Sequence, residues 1–391
     1  MANISDSPNP LLPLTDPPGL VNPSLATPRP AVASARIDGY DFARALAVIG
    51  MVLVNFNSIF RLSQEDALPY SRLADALCGR AAVLFVMLAG VGLTLLARRP
   101  LLAGTAEAMA LFRRQILKRC LVLFVMGNIF RLFWHGDILH FYALFLGLGV
   151  FCLQLPNKWL WLGVVGIWLT ATTIFVACQG GPTLPDGMLL PDFVVTFCDD
   201  LLLGGYYAAF PWFAFLLMGV WFGRPEVMNR PASHGRIFLV CLVIFVIAEQ
   251  LLAWGDARFF MADETEMPLA VFFFNDPFPA SPLFALSGGA GAMMVLIGSM
   301  YLSRLAICNG LVQNLKYIGK LSLTIYVGHV LLGLALVAPL QQRLAPGDYS
   351  AVVTCLTLAL LLGQGQFARF WCNRFERGPL EWLFRKLSGT G

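Results

Sequence analysis

The stretch Arg131-Leu-Phe-Trp-His135-Gly-Asp137-Ile-Leu-His140-Phe-Tyr142 gathers an arginine, two imidazoles and a carboxylate between two long apolar runs. If one helix carries Asn128, Arg131 and His135, their spacings of three and four put them on a single face. Gly136-Asp137 then reads as a break followed by the N-cap of the next helix. In that setting His135 is a general base, and Asp137 orients its ring and stabilises the imidazolium, the arrangement that activates a hydroxyl or amine for acyl transfer. Arg131 suits a developing oxyanion or a phosphate. The plainer reading of His135 is an interfacial histidine bonded to the cap of the next helix. His140, one turn inside an apolar helix among Leu, Phe and Tyr, reads as packed. Ionisable groups are costly at membrane depth, which makes function the default reading of the cluster.

Two further stripes carry polar groups on apolar helices. Asp41 and Arg44 are three apart and Asn55 follows eleven later, three turns on, so they share a face. They read either as an interfacial ion pair plus an asparagine bonded to a neighbouring helix, or as ligand-binding groups. Ser322, Tyr326 and His329 fall at i, i+4 and i+7 of another helix, with His329 near mid-membrane as a neutral base or a hydrogen-bond partner, or as a packing residue. Asn55, Glu249 and Gln250 are expected at the depth of His135 and Asp137. His234, between Ser and Gly in a short loop, reads as solvated.

The elements that hold these groups follow from composition. Of 391 residues, 58% are hydrophobic and 13% charged, with mean hydropathy +0.71, so most of the chain cannot face water. Repeated apolar runs match what a hydrocarbon core of ~30 Å demands of spanning helices. The expected fold is an all-α polytopic transmembrane bundle. Its ten spans lie near Gly39–Phe60, Ala81–Leu96, Cys120–Phe133, Ile138–Leu155, Trp159–Cys178, Tyr206–Phe222, Ile237–Trp254, Leu283–Tyr301, Leu321–Leu340 and Ser350–Phe367. With both termini cytoplasmic, 21 of the 27 Lys and Arg fall on the inner side. The most basic connection runs from Arg98 to Arg119, and Thr105–Lys118 within it reads as an amphipathic interfacial helix. Residues 1–35 hold eight of the 24 prolines and read as a disordered tail without a secretory signal, ahead of a single domain over 36–385 and a short tail over 386–391. The two long outer connections, Gly180–Gly205 and Gly255–Pro282, are acidic, the counterpart of the inner basic bias. No internal repeat is evident.

Nine scattered cysteines without a CxxC pair read as small buried apolar residues, and four distant histidines give no metal-site spacing. No metal is expected. A net charge of +4 gives no ground for a nucleic-acid partner.

Three blocks carry a family resemblance: Arg36-Ile-Asp-Gly-Tyr-Asp41-Phe-Ala-Arg44-Ala-Leu-Ala with Asn55; Gly136-Asp-Ile-Leu-His-Phe-Tyr-Ala143; and Gly319-Lys-Leu-Ser-Leu-Thr-Ile-Tyr326 with Gly378-Pro-Leu-Glu-Trp-Leu-Phe-Arg385. Together they resemble the YeiB-like family of bacterial inner-membrane proteins, grouped by similarity with transmembrane acyltransferases of the heparan-α-glucosaminide N-acetyltransferase type. The resemblance covers about Arg36 to Arg385. It implies transfer of an acyl group from cytoplasmic acyl-CoA, acetyl-CoA above all, to an acceptor on the far side through a catalytic histidine. In the related enzyme that histidine belongs to the segment between the first two spans. Here Asn57 to Arg80 contains no histidine, so His135, with Asp137, is the chemical substitute and His329 the second choice.

The leading expectation is therefore a multi-pass enzyme of the bacterial inner membrane that acylates a hydroxyl or amine of an envelope or exported molecule. Arg36, Asp41, Arg44, Asn55, Arg131 and Tyr326 are the candidate substrate-binding residues, with Asp41 and Arg44 near the CoA end. Expected partners are the lipid bilayer, acyl-CoA and the acceptor, with a homo-oligomer as an option. The competing expectation is a transporter whose intramembrane polar stripes line a solute path. A common cavity for Asn55, Arg131, His135 and His329, open to the cytoplasm, distinguishes the enzyme. A membrane scaffold or sensor finds no positive support.

Overall fold

The computed structural model describes residues 38–60, 69–177, 191–259, 267–275, 277–278, 280–305, 309–344 and 346–389. The expected tail over 1–35 and Arg36 lie outside them.

The chain opens with α1 (Asp38–Ile59), the short amphipathic α2 (Pro69–Leu77), α3 (Arg80–Ala103), α4 (Ala106–Arg131), α5 (Leu139–Cys152) and α6 (Asn157–Ala177). Next, α7 (Asp192–Asp199) passes through a π-helical turn (Asp200–Gly204) into α8 (Ala209–Phe222). Then come α9 (Pro225–Met228), α10 (Pro231–Phe259), α11 (Met267–Ala270) and α12 (Pro282–Leu302). The last four are α13 (Asn309–Lys320), α14 (Ser322–Arg343), α15 (Pro346–Cys372) and α16 (Pro379–Leu387). Helix starts are written locally: Thr105 Oγ1 accepts the Ala108 N–H at 3.2 Å, and Ser281 Oγ accepts the Phe284 N–H at 3.2 Å with Pro282 opening α12.

Among the described residues, seven helices are long and apolar enough to cross a membrane, and the pair α7 and α8, bent by 51°, makes an eighth if it forms one span. All ten expected spans fall on helices. Two of them, in α4 and α5, are not long and apolar enough to cross, for different reasons. α4 is one unbroken helix that merges the expected interfacial helix with the third span, so charges crowd its first half. α5 has only 14 residues, or about 21 Å, short of a ~30 Å hydrocarbon core.

Burial sorts the helices into an inner and an outer set. In the apolar windows of α1, α3 and α12, 67%, 78% and 67% of residues are buried, against 17% for α6 and 11% for α10. Leu239, Val240, Val243 and Ile247 of α10 are exposed, which suits a hydrocarbon solvent. Between helices in lipid, association depends on close packing more than on expulsion of water, so small residues mark the tightest contact. α3 and α8 meet that way: a Cβ on Gly219 would overlap the Met87 carbonyl oxygen, and one on Gly90 would overlap the Leu216 carbonyl oxygen. This pairing of α3 with α8, flanked by α1 and α12, forms the frame on which α4, α5 and α14 carry the polar groups.

Candidate active site

α4 ends at Arg131, so the expected helical face breaks there. Asn128 turns back, donating from Nδ2 to the Phe124 carbonyl at 2.8 Å. His135 lies beyond the helix on the Trp134–Ile138 turn, is exposed, and forms no hydrogen bond among the described residues. Asp137 does not orient it. Asp137 is fully buried and does perform the expected capping: its Oδ2 accepts the Leu139 N–H at 3.0 Å and the His140 N–H at 3.4 Å. The same oxygen faces His140 Nδ1 at 3.2 Å, so the ring that the carboxylate orients is that of His140, three residues on. A buried carboxylate only accepts, which makes Nδ1 the donor and leaves Nε2 with a lone pair. Nε2 forms no hydrogen bond among the described residues.

The other carboxylate oxygen reaches across the bundle. Tyr326 on α14 donates from its hydroxyl to Asp137 Oδ1 at 3.4 Å and accepts the Ile138 N–H at 3.3 Å. One turn along α14, the His329 ring lies 5.6 Å from that of Tyr326 and is fully buried. His329 Nδ1 lies 3.2 Å from the Ile325 carbonyl, an acceptor, so Nδ1 carries the proton. Its Nε2 then accepts from Asn55 Nδ2 at 3.1 Å. Both nitrogens of His329 are thus engaged, whereas only one nitrogen of His140 is. Asn55, His329, Tyr326, Asp137 and His140 form one buried polar series drawn from α1, α14, the α4–α5 turn and α5.

Other expected residues sit apart from it. Arg131 pairs with Asp200 of the π-helical turn and lies 6.0 Å over the Phe197 ring. Asp41 and Arg44 form an ion pair at 3.1 Å, and Arg44 also donates to the Gly319 carbonyl at 3.5 Å, tying α1 to α13. Glu249 pairs with Arg80 at 2.7 Å and with Ser287. Of Asn55, Arg131, His135 and His329, expected around one cavity, the structure joins only Asn55 to His329. His234, expected in water, is buried, with Nδ1 3.2 Å from the Tyr301 hydroxyl and Nε2 3.2 Å from the Val227 carbonyl.

A cavity of about 280 Å³ lies between α1, α3, α4, α5, α14 and α16, and none of the five residues of the polar series lines it. Its walls are apolar except for Arg44, Arg119, Tyr142, Ser322 and Glu381, and they include Leu139, the chain neighbour of His140. The Arg119 Nε is buried there without a partner. Two residues with no role assigned from the sequence complete the surround. Glu381 of α16 accepts the Leu323 and Thr324 N–H groups at 2.8 and 3.2 Å and the Thr324 hydroxyl at 2.5 Å, and Thr324 in turn accepts the Leu380 N–H at 3.1 Å. Glu381 belongs to the Gly-Pro-Leu-Glu-Trp block, so the signal was present as a motif, but nothing in its spacing points to α14. Among the described residues no group of His, Cys, Asp and Glu is arranged to hold a metal ion.

Two family matches cover this architecture. Residues 221–390 match the family described as protein of unknown function (DUF418). Residues 36–237 match the family described as heparan-alpha-glucosaminide N-acetyltransferase, catalytic. No curated protein matches the chain. The polar series straddles both regions, since Asn55, Asp137 and His140 fall in the second and Tyr326 and His329 in the first. A catalytic-domain match over more than half of the chain, on a bundle with this many apolar helices, identifies a multi-pass membrane protein of the heparan-alpha-glucosaminide N-acetyltransferase catalytic family.

Proposed function

We propose that the protein transfers an acetyl or related acyl group from acyl-CoA to a hydroxyl or amine of an envelope or exported acceptor, with His140 as the general base. The observation that carries this reading is the Asp137–His140 pair, whose carboxylate leaves Nε2 as an unbonded base. His140 takes the base role in place of His135, because Asp137 bonds the former and not the latter. His329, with both nitrogens bonded, takes a supporting role with Asn55.

In this reading Nε2 removes the proton from the acceptor oxygen or nitrogen as that atom attacks the thioester carbonyl. The new ester or amide forms, the carbon–sulfur bond breaks, and the proton passes to the departing thiolate of CoA. Asp137 holds the ring and stabilises the imidazolium. The donor suits the adjacent cavity: apolar walls accept the pantetheine arm, and Arg44 with the unsatisfied Arg119 Nε matches phosphate chemistry. What favours an enzyme over a solute path is the match to an acetyltransferase catalytic family together with the Asp137–His140 pair, since the four residues expected around one cavity do not share one. A bacterial inner membrane, where acyl-CoA is supplied from one side and envelope molecules from the other, is the expected setting.

The test is reconstitution in proteoliposomes with labelled acetyl-CoA and an envelope extract. The expected result is label on an extracted acceptor, lost in His140→Gln. Transfer undiminished in both Asp137→Asn and His140→Gln overturns the site. Absence of acyl-CoA binding by calorimetry together with solute movement overturns the enzyme reading in favour of transport.

A further inference from the structure

Away from the polar series, α6 and α10 stand apart as walls and α8 and α12 form a floor: α6 packs on α8, and α10 on α12. The groove between them holds a cavity of about 280 Å³ lined by Trp161, Trp168, Trp221, Val240, Ala290 and, at one end, Arg236. A second cavity of about 310 Å³ shares Trp168 and Leu286 with it and continues toward Pro211 and Pro282. Arg236 is the one charged residue lining the groove, whose walls are otherwise apolar but for Thr172 at the far end. The Arg236 side chain is exposed and forms no ion pair or hydrogen bond among the described residues. That end of the bundle is basic, with Lys158, Arg224, Arg230 and Arg236 near the starts of α6 and α10 and the end of α8.

Depth and chemistry agree on the occupant. From Arg236 to Ile244 the groove follows α10 for about 12 Å, most of the ~15 Å that one leaflet of hydrocarbon offers. Trp161 and Trp221, with rings 5.0 Å apart, stand at the mouth with Arg236, the pairing of indole and cation that marks the headgroup level of a bilayer. α6 and α10 are also among the least buried helices of the bundle, so the groove faces the hydrocarbon and not a protein interior. The geometry points to a binding site for an anionic glycerophospholipid of the surrounding bilayer, with one acyl chain lying between α6 and α10 and the phosphate paired with the Arg236 guanidinium.

This site is independent of the acyl-transfer chemistry and is tested without it. The purified full chain is reconstituted with spin-labelled phosphatidylglycerol or spin-labelled phosphatidylcholine at equal mole fraction, and the immobilised fraction is read by electron paramagnetic resonance. The expected result is a larger immobilised fraction for phosphatidylglycerol, which falls to the phosphatidylcholine level in Arg236→Gln and persists in Arg236→Lys. Val240→Trp, which fills the groove, lowers the immobilised fraction of both lipids. Arg230→Gln, an exposed arginine outside the groove, keeps the preference. Equal immobilisation of the two lipids by the wild type, or an unchanged preference in Arg236→Gln, overturns the proposal. So does an equal loss in Arg230→Gln, which would assign the preference to the overall charge of that end.

Discussion

Asn55 and His329, 274 positions apart, share a 3.1 Å hydrogen bond that joins α1 to α14 at the centre of the bundle. Because His329 Nδ1 donates to the Ile325 carbonyl, the asparagine amide fills the remaining lone pair and fixes the ring. Removing the amide leaves a buried acceptor without a partner. Asn55→Ala should therefore cost about 1–3 kcal/mol of stability, read as a lowered midpoint of thermal unfolding in detergent. Asn55→Gln, if it reaches His329, should recover part of it.

The base assignment separates two histidines five residues apart in the chain. Asp137→Asn and His140→Gln should each lower acyl transfer by about 10²–10⁴-fold, the usual scale of general-base catalysis. His135→Ala, at an exposed position, should stay within about twofold, the effect of an ordinary surface substitution. Initial rates in proteoliposomes distinguish these outcomes, and a large loss in His135→Ala alone would return the role to that residue.

Arg131 and Asp200 pair at a partly exposed position, and such pairs contribute little. A double-mutant cycle with Arg131→Gln and Asp200→Asn should return a coupling of about 0.2–1 kcal/mol in unfolding experiments. Transfer rates of the two single variants should track each other, because the guanidinium is already occupied. A rate loss in Arg131→Gln that Asp200→Asn does not share would place Arg131 on the substrate.

The α3–α8 contact admits no side chain at Gly90 or Gly219 without moving backbone. Gly219→Ala should destabilise the bundle by about 1–3 kcal/mol, the cost of overpacking. Gly298→Ala on α12, where an added Cβ meets nothing within 4 Å, should be neutral or stabilising by up to ~1 kcal/mol through helix propensity. Thermal unfolding of the two variants side by side checks the contrast.

Glu381 caps α14 from another helix. Glu381→Ala should lower stability by about 0.5–2 kcal/mol, the range for losing a helix cap. It should also reduce transfer, since Tyr326 lies in the first turns of the helix so released. Thr324→Val, which loses the hydroxyl partner but keeps the carboxylate on the two amides, should show a smaller effect in both measurements.

The sequence made the helices legible because apolar runs in a lipid solvent leave few alternatives. Asp137 is legible as a cap for the same reason that caps generally are: its side chain acts on amides two and three residues on, those of Leu139 and His140. The three-residue step from Asp137 to His140 was also visible, but His140 stands among Leu, Phe and Tyr, and that apolar company reads as packing until the carboxylate is seen beneath the ring. His135 drew attention through its polar neighbours, and the end of α4 at Arg131 then set it outside the helix. Contacts such as Asn55 with His329, or Glu381 with Leu323, join positions far apart, and no local periodicity encodes which helices become neighbours. His234, between Ser and Gly, reads as a solvated loop residue, yet it stands in the first turns of α10, where Tyr301 and the Val227 carbonyl close over it.

The carboxylate at Glu381 lies 58 positions beyond the first amide it satisfies. During synthesis α14 is therefore made, and α15 after it, before the group that completes its start has emerged from the ribosome. Until then the Leu323 and Thr324 amides need water or lipid headgroups as stand-ins. The start of α14 thus gains its carboxylate partner only once the chain beyond α15 has been made.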